Sequence, residues 1–283
     1  MRFTKLQSVG NDFVLIEAFD KQADWPALSQ KICDRHFGIG ADGLLVLLKS
    51  DRADFCMRIF NPNSSEAEAC GNGLRCLVHY ILEKGLSGQG SLSIETCAGV
   101  RKANTLIEGG KRWIRIDMGC PILEPDKIPV IPEPGLGRFT AGMLGSYPFR
   151  HRKQELLLNF VSMGNPHAVF LTEDSVNAFP LQLTGPDVEH SSIFPRKTNF
   201  EVARILGRDS IEMRVWERGV GETLACGSGS CAVTIVASKL GLIDNIVDIM
   251  LPGGHLKAEW DRENEIYLSG RADFVFEGEW IRD

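Results

Sequence analysis

The chain contains a copy of itself. Residues 57–73 read MRIFNPNSSEAEACGNG, and residues 213–229 read MRVWERGVGETLACGSG. At a constant offset of 156, without a gap, seven of these 17 positions are identical: Met57/Met213, Arg58/Arg214, Glu66/Glu222, Ala69/Ala225, Cys70/Cys226, Gly71/Gly227 and Gly73/Gly229. Ile59/Val215 and Phe60/Trp216 are near-matches. A second echo lies upstream, where VGNDF around Asn11 resembles MGNPH around Asn165 at an offset of 154. One long period that occurs twice is not a solenoid, which needs three or more short units. It marks a duplicated domain, and 283 residues agree with two domains of roughly 150 each.

Both copies have the same local pattern. Asp54–Phe60 and Ile211–Glu217 alternate β-branched or aromatic residues with polar ones, which predicts a strand in each. A polar, irregular loop follows, then a helix opening at CGxG. In the first helix Leu74, Leu77, Val78, Ile81 and Leu82 share one face, and Gly85 is placed to end it. In the second, Cys231–Leu240 is apolar almost all round, which predicts a helix buried on every side. Val233–Val236 is a poor helix former, so the repeat carries that assignment. Thr105–Ile107 and Trp113–Ile116 flank Gly109-Gly110 as a hairpin, and Pro121–Pro134 reads as the link between the halves. The expected fold is α+β: two pseudo-symmetric domains, each a strongly bent, mostly antiparallel sheet around a central helix.

Composition excludes several classes of function. Hydrophobic residues at 43% and charged residues at 24% suit a globular chain with a real core. A net charge of −6 supplies no basic footprint for nucleic acid. The longest purely apolar run, Leu44–Leu48, is far short of the roughly 20 residues that span a bilayer. MRFTKLQSVGNDF has no apolar stretch behind its basic residues, so it does not read as a signal peptide, and a cytoplasmic location is expected. The eight cysteines are too sparse for a disulfide scaffold, and without a CxxC pair they suggest neither a zinc ribbon nor a thioredoxin-type site. Cys33, Cys56, Cys97 and Cys120, with Cys76 and Cys231 further along the two helices, read as small core hydrophobes.

Cys70 and Cys226 are different. A cysteine at the mouth of a helix faces unpaired N–H groups and the positive end of the helix dipole, which predicts a lowered thiol pKa. The neighbouring glycines let a ligand approach the backbone, whose N–H groups can hold a carboxylate. Two such thiols around one small anion suit one reaction above others: removal of a proton from one face of a carbon acid and return of a proton on the other. That chemistry needs no metal and no cofactor. For one copy alone, a tight packing turn, a buried thiol or a disulfide explains CGxG equally well. Two copies in register, each nine residues after a polar residue (Asn61 and Glu217), favour the functional reading. GETLACGSGS lacks the GK[ST] ending of a phosphate loop, and Ser228 and Ser230 lack a nucleophile-elbow context.

At these residues the chain resembles the diaminopimelate epimerase family. The similarity includes GNDF at Gly10–Phe13, RHFGIGADG at Arg35–Gly43, EAEACGNGLRC at Glu66–Cys76, GNPHAV at Gly164–Val169, TNFE at Thr198–Glu201 and WERGVGETLACGSGSCA at Trp216–Ala232. The resemblance implies a cofactor-independent isomerase that interconverts LL- and meso-diaminopimelate on the route to lysine and peptidoglycan. It implies that Cys70 and Cys226 are the acid–base pair, one thiolate and one thiol, with roles that exchange with reaction direction. The N–H groups of Gly71, Asn72, Gly227 and Ser228 would hold the carboxylate at the reacting carbon. Glu217 and Arg218 match positions that bind substrate amino and carboxylate groups. Asn11, Asn61, Asn165 and Asn199 match positions that recognise substrate polar groups, and His167 with Glu217 would tune the cysteines. The family's fold implies that the last strand returns to the first domain, which gives 1–120 plus 272–283 and 121–271. A homodimer is expected.

Several positions depart from the commonest family pattern: Ser8 for glycine, Asn63-Ser64 for Asp-Gly, Ser228 and Ser230 for Thr and Ala, Gly43 for a frequent glutamine, and Phe276 for a dimer-interface tyrosine. None removes a group that the chemistry needs. Three other readings compete. A proline or hydroxyproline racemase shares the paired cysteines, but the polar set of Asn61, Asn165, Asn199 and Arg218 implies a second charged substrate end. A phenazine-biosynthesis-type isomerase shares the fold without both cysteines. A non-catalytic amino-acid-binding protein has no need of two titrating thiols.

Overall fold

The computed structural model describes every residue except Ala141, Lys153, Arg282 and Asp283. The chain forms two compact units, Met1–Asp117 joined by the segment from Ser269 onward, and Met118–Leu268. The first unit contains β1 (Arg2–Ser8), β2 (Asn11–Glu17), α1 (Trp25–Ile32), β3 (Gly43–Leu48), β4 (Phe55–Phe60), the short β5 (Glu66–Ala67), α2 (Gly71–Glu83), β6 (Ser91–Thr96), β7 (Gly99–Glu108) and β8 (Lys111–Asp117). The second contains β9 (Arg138–Thr140), β10 (Met143–Gly145), β11 (Tyr147–His151), β12 (Gln154–Ser162), β13 (Pro166–Leu171) and α3 (Leu181–Glu189). It continues through β14 (Asn199–Gly207), β15 (Ser210–Glu217), the short β16 (Gly221–Thr223), α4 (Gly227–Lys239), β17 (Ile246–Leu251) and β18 (Gly254–Glu259). β19 (Tyr267–Gly270) carries the chain out of the second unit, and β20 (Asp273–Glu279) pairs antiparallel with β1 in the first.

Pairing repeats from one unit to the other. In the first, β1–β2 is antiparallel, β2–β3 parallel, β3–β4 antiparallel, β4–β6 parallel and β6–β7 antiparallel. In the second, β12, β13, β14, β15, β17 and β18 follow the same alternation. Register matches as well: Phe13 faces Gly43 as His167 faces Asn199, and Leu45 faces Ile59 as Glu201 faces Val215. Parallel neighbours need a crossover. α1 supplies it between β2 and β3, and α3 between β13 and β14.

α2 and α4 each pack on the strands of their own unit, α2 on β1, β2, β3, β4, β7 and β8, and α4 on β12, β13, β14 and β18. α2 buries Gly71 through Val78, Tyr80 and Ile81, and ends as expected. Gly85 takes φ +67°, and the Leu86 N–H returns to the Ile81 carbonyl at 2.9 Å. α4 is buried from Gly229 to Ser238, so packing overrides the weak propensity of its Val233–Val236 run. Gly109 and Gly110, at φ +58° and +72°, turn β7 into β8.

Two expectations are corrected. The proline-rich stretch is no free link, because Ile128 and Val130 join the core of the second unit and Ile122 bridges to Ser162. Cys97 and Cys120 are exposed, whereas Cys33, Cys76 and Cys231 are core residues.

Gly185, inside α3, lies against the Trp216 ring, where an added Cβ would come within 2.5 Å of Cγ and Cδ2. Helix propensity favours alanine there by about 1 kcal/mol. Overpacking against a rigid indole, itself tied by Nε1 to Glu189 at 2.8 Å, costs about 1–3 kcal/mol and decides the sign. Gly185→Ala therefore lowers the urea midpoint and the thermal midpoint; a variant at least as stable as wild type would contradict this packing.

Candidate active site

The Cys70 half is built on α2. Cys70 is the N-cap in extended conformation (φ −147°, ψ 119°), directly before the buried Gly71 and Asn72. Leu74 is the first residue whose N–H closes a helical bond, onto the Cys70 carbonyl at 2.9 Å, so the Gly71 and Asn72 N–H groups lie in the open first turn. Asn11, opening β2, turns its Oδ1 to Asn72 Nδ2 (3.1 Å) and to the Cys70 thiol (3.9 Å), while its Nδ2 donates to Asp42 at 2.8 Å. Arg75, wholly buried, donates Nε to Ser8 Oγ at 2.9 Å and Nη2 to Asn72 Oδ1. Ser8 passes the contact to the Arg271 carbonyl at 2.6 Å. The serine that departs from the family pattern is thus the acceptor for a buried guanidinium. Asn61 ends β4, donates Nδ2 to Ser65 Oγ at 2.9 Å, and accepts Ser29 Oγ on its carbonyl at 3.0 Å.

Behind Asn11 lies a charge cluster. Asp12 meets Lys5 at 2.5 Å and Arg35 at 2.8 Å, and Arg35 also reaches Asp42 at 2.7 Å. Burial pushes the Asp12 pKa up, but hydrogen bonds from Arg35 and Lys5 outweigh it and hold the carboxyl at about 2.

The Cys226 half repeats the backbone with different side chains. Cys226 is the N-cap of α4 at φ −125°, ψ 118°, and its sulfur accepts the Gly229 N–H at 3.4 Å and meets Ser228 Oγ at 3.4 Å. Asn165 donates Nδ2 to Ser228 Oγ at 3.3 Å and offers Oδ1 to His167 Nε2 at 3.0 Å. His167 Nδ1 lies 2.7 Å from Glu201 Oε1. Asn199 donates to the Pro166 carbonyl at 2.9 Å and accepts the Arg218 N–H at 2.9 Å. The Arg218 side chain is exposed, its Nη1 3.3 Å from the Arg196 carbonyl. Glu217 accepts Thr223 Oγ1 at 2.5 Å. Burial raises the Glu217 pKa, against hydrogen bonds from Thr223 and Cys226.

Helix position alone predicts a lowered thiol pKa, and for Cys226 the structure reverses the sign. Burial first, then the Glu217 and Glu201 carboxylates, push it well above its ordinary value; the Ser228 and Gly229 contacts oppose them without prevailing. Within each unit, then, the cysteine, an asparagine from the preceding parallel pair and the first helical turn come together. Sequence reasoning missed Asp42, Arg75 and Glu201 as supports. All three lie inside the quoted segments RHFGIGADG, EAEACGNGLRC and TNFE, and what hid them is that their partners come from other strands and loops.

The fold defines the class first. A solved Bacillus anthracis protein of the PhzF family superimposes with a TM-score of 0.70 at 16% identity, covering 100% of this chain and 99% of that one. A hydroxyproline epimerase from Agrobacterium vitis gives 0.68 at 14% identity, covering 98% and 91%. The chain has that fold. Its sequence is narrower in what it matches: the diaminopimelate epimerase family model matches residues 3–124 and 159–275. The diaminopimelate epimerase of Pelotomaculum thermopropionicum is 44% identical over 284 residues, 99% of each chain. The chain belongs to the diaminopimelate epimerase family. Among the described residues, no helix is long and apolar enough to cross a membrane.

The Asp12 cluster sets an acid limit. Its pKa is lower folded than unfolded, so its stabilisation is complete above about pH 4 and fades as pH falls from 3.8 towards about 2. The depression corresponds to roughly 2 kcal/mol. Asp12→Asn loses this at pH 7 and flattens the acid limb. Urea unfolding at pH 7, 4 and 3 tests it; equal slopes against pH in wild type and variant would refute it.

Proposed function

We propose that this protein interconverts LL- and meso-diaminopimelate by a two-base mechanism at Cys70 and Cys226, in lysine and peptidoglycan precursor synthesis. The observation that carries the reading is the duplicated N-cap cysteine, two thiols in matching backbone conformation at the mouths of two equivalent helices. One sulfur, as thiolate, takes the Cα proton; the other, as thiol, protonates the opposite face, and the two have exchanged states when the product leaves. Burial and the neighbouring carboxylates favour the thiol form of Cys226; in the direction that starts from that form it is the acid and Cys70 the base. The Gly71, Asn72, Gly227 and Ser228 N–H groups hold the α-carboxylate and strengthen their hold as negative charge grows on it. His167 and Glu217 tune the cysteine on their side, and Asn11, Asn61, Asn165, Asn199, Glu217 and Arg218 recognise the polar groups of the substrate. We further propose a cytoplasmic homodimer, with Val275 and Phe276, about half exposed on β20, as an apolar patch for the second copy.

Cys70→Ala and Cys226→Ala each lower kcat/KM by about a thousandfold or more, the upper range for loss of an acid–base group. Cys33→Ala and Cys120→Ala leave turnover intact. Solvent deuterium incorporation at Cα of LL-diaminopimelate, under reducing conditions and without added cofactor, is the assay; substantial turnover by either active-site variant would end the two-base reading.

Arg218 reads the second charged end of the substrate. A guanidinium grips a carboxylate with two parallel bonds, and each buried polar group left without its partner costs about 1–3 kcal/mol, roughly five- to two-hundred-fold in rate. Arg218→Ala therefore loses activity on diaminopimelate and gains none on proline. Wild-type turnover of L-proline within about tenfold of diaminopimelate would favour the racemase reading.

A further inference from the structure

Glu201 is a buried carboxylate whose charge bears on Cys226 but whose pairing with His167 neither the fold nor the two-base scheme accounts for. Its side chain and that of His167 are both fully buried, and Oε2 has no hydrogen-bond partner among the described residues. Burying a carboxylate half-satisfied carries a heavy desolvation cost. The duplication shows that the fold does not require it. Register places Phe13 and Leu45 in the first unit where His167 and Glu201 lie in the second. The equivalence extends to the helix: a Cβ on Gly73 would touch the Leu45 side chain at 3.1 Å, and one on Gly229 would touch Glu201 Oε1 at 2.8 Å. One backbone therefore holds an apolar pair at this position in one unit and a histidine–carboxylate pair in the other.

We propose that Glu201 is a positioning residue: it keeps the proton on His167 Nδ1 and locks the ring so that Nε2 faces the Asn165 amide. From there the contacts run through Asn165 Nδ2 to Ser228 Oγ and on to Cys226 Sγ, all within one unit. A side-chain amide can present either its oxygen or its N–H groups to a ring nitrogen. The Nε2–Oδ1 contact needs an N–H on Nε2 as well; when Nε2 lacks it, the Asn165 amide turns and donates to Nε2 instead, so Asn165 can follow Cys226 as the sulfur alternates between thiol and thiolate, while the carboxylate keeps His167 from turning with it. The role parallels that of the aspartate that fixes histidine tautomer in hydrolase triads. It rests on the two-base reading of Cys226.

Leucine is the informative replacement because the duplicate accommodates it. Glu201→Leu lowers kcat about ten- to hundredfold, the usual effect of losing such a support, with KM within about threefold of wild type. Nitrogen NMR of wild type shows a proton on His167 Nδ1, and Glu201→Leu loses its protection from exchange. His167→Phe and the double variant His167→Phe/Glu201→Leu, which copies the first unit, have rates within about threefold of each other, since the larger part of the Glu201 effect runs through the ring. An additive loss in that cycle, a Glu201→Leu kcat within twofold of wild type, or an unprotonated Nδ1 in wild type would each overturn the proposal. If Glu201→Leu does not fold, Glu201→Gln carries the kinetic comparison, and the wild-type NMR measurement decides the tautomer alone. Absence of deuterium exchange in wild type would instead refute the two-base reading, and the Nδ1 measurement separates the two failures.

Discussion

Everything in this molecule depends on a parallel strand pair beside a helix mouth. β2 lies parallel to β3 and β13 to β14, and in each pair the first strand opens next to an asparagine, Asn11 or Asn165. Parallel neighbours cannot be joined by a tight turn, so each pair requires its crossover, α1 or α3. The following antiparallel strand then delivers the chain, through a short polar loop, to the N-cap cysteine. Backbone is extended at both N-caps, next to the first turn where helix N–H groups have not yet found carbonyl partners; the Cys226 sulfur accepts the Gly229 N–H there, and the Cys70 thiol meets Asn11 Oδ1.

Duplication preserves this geometry, and the side chains then break its symmetry. In the first unit the Asn11 amide is pinned by Asp42 and shows its oxygen to the cysteine side. In the second, the Asn165 amide is pinned by His167 and shows its nitrogen. The same backbone thus presents an acceptor in one half and a donor in the other.

Much of this was legible in the residues. The repeat located both cysteines, both helices and both preceding strands, because identity at a fixed offset is a stronger signal than propensity. α1 was missed because it is eight residues long, with Pro26 in its first turn and only the Asp24 cap to announce it. α3 has no helical signature in the sequence, because Gly185 and Pro186, both residues that ordinarily break helices, lie inside it. The sign of the Cys226 shift was also illegible. The helix mouth is local and visible in sequence, whereas Glu201 comes from the neighbouring strand pair and acts across the packing. Ile128 and Val130 belong to the same class, since their burial is decided by a core assembled from distant segments.

The placement of buried charge completes the asymmetry. The first unit carries its cation on the catalytic helix itself: Arg75, wholly buried, steadies Asn72, while the equivalent position in the second is the apolar Cys231. The second unit instead carries carboxylates, Glu217 from the end of β15 and Glu201 from β14. A buried charge is retained only where partners offset its desolvation. Arg75 has Ser8 on Nε and Asn72 on Nη2, and Glu201 has His167 on Oε1. The position equivalent to Glu201 in the first unit is a leucine, so this backbone accepts an apolar side chain there, and a charge kept at that place answers to the His167 ring beside it rather than to packing.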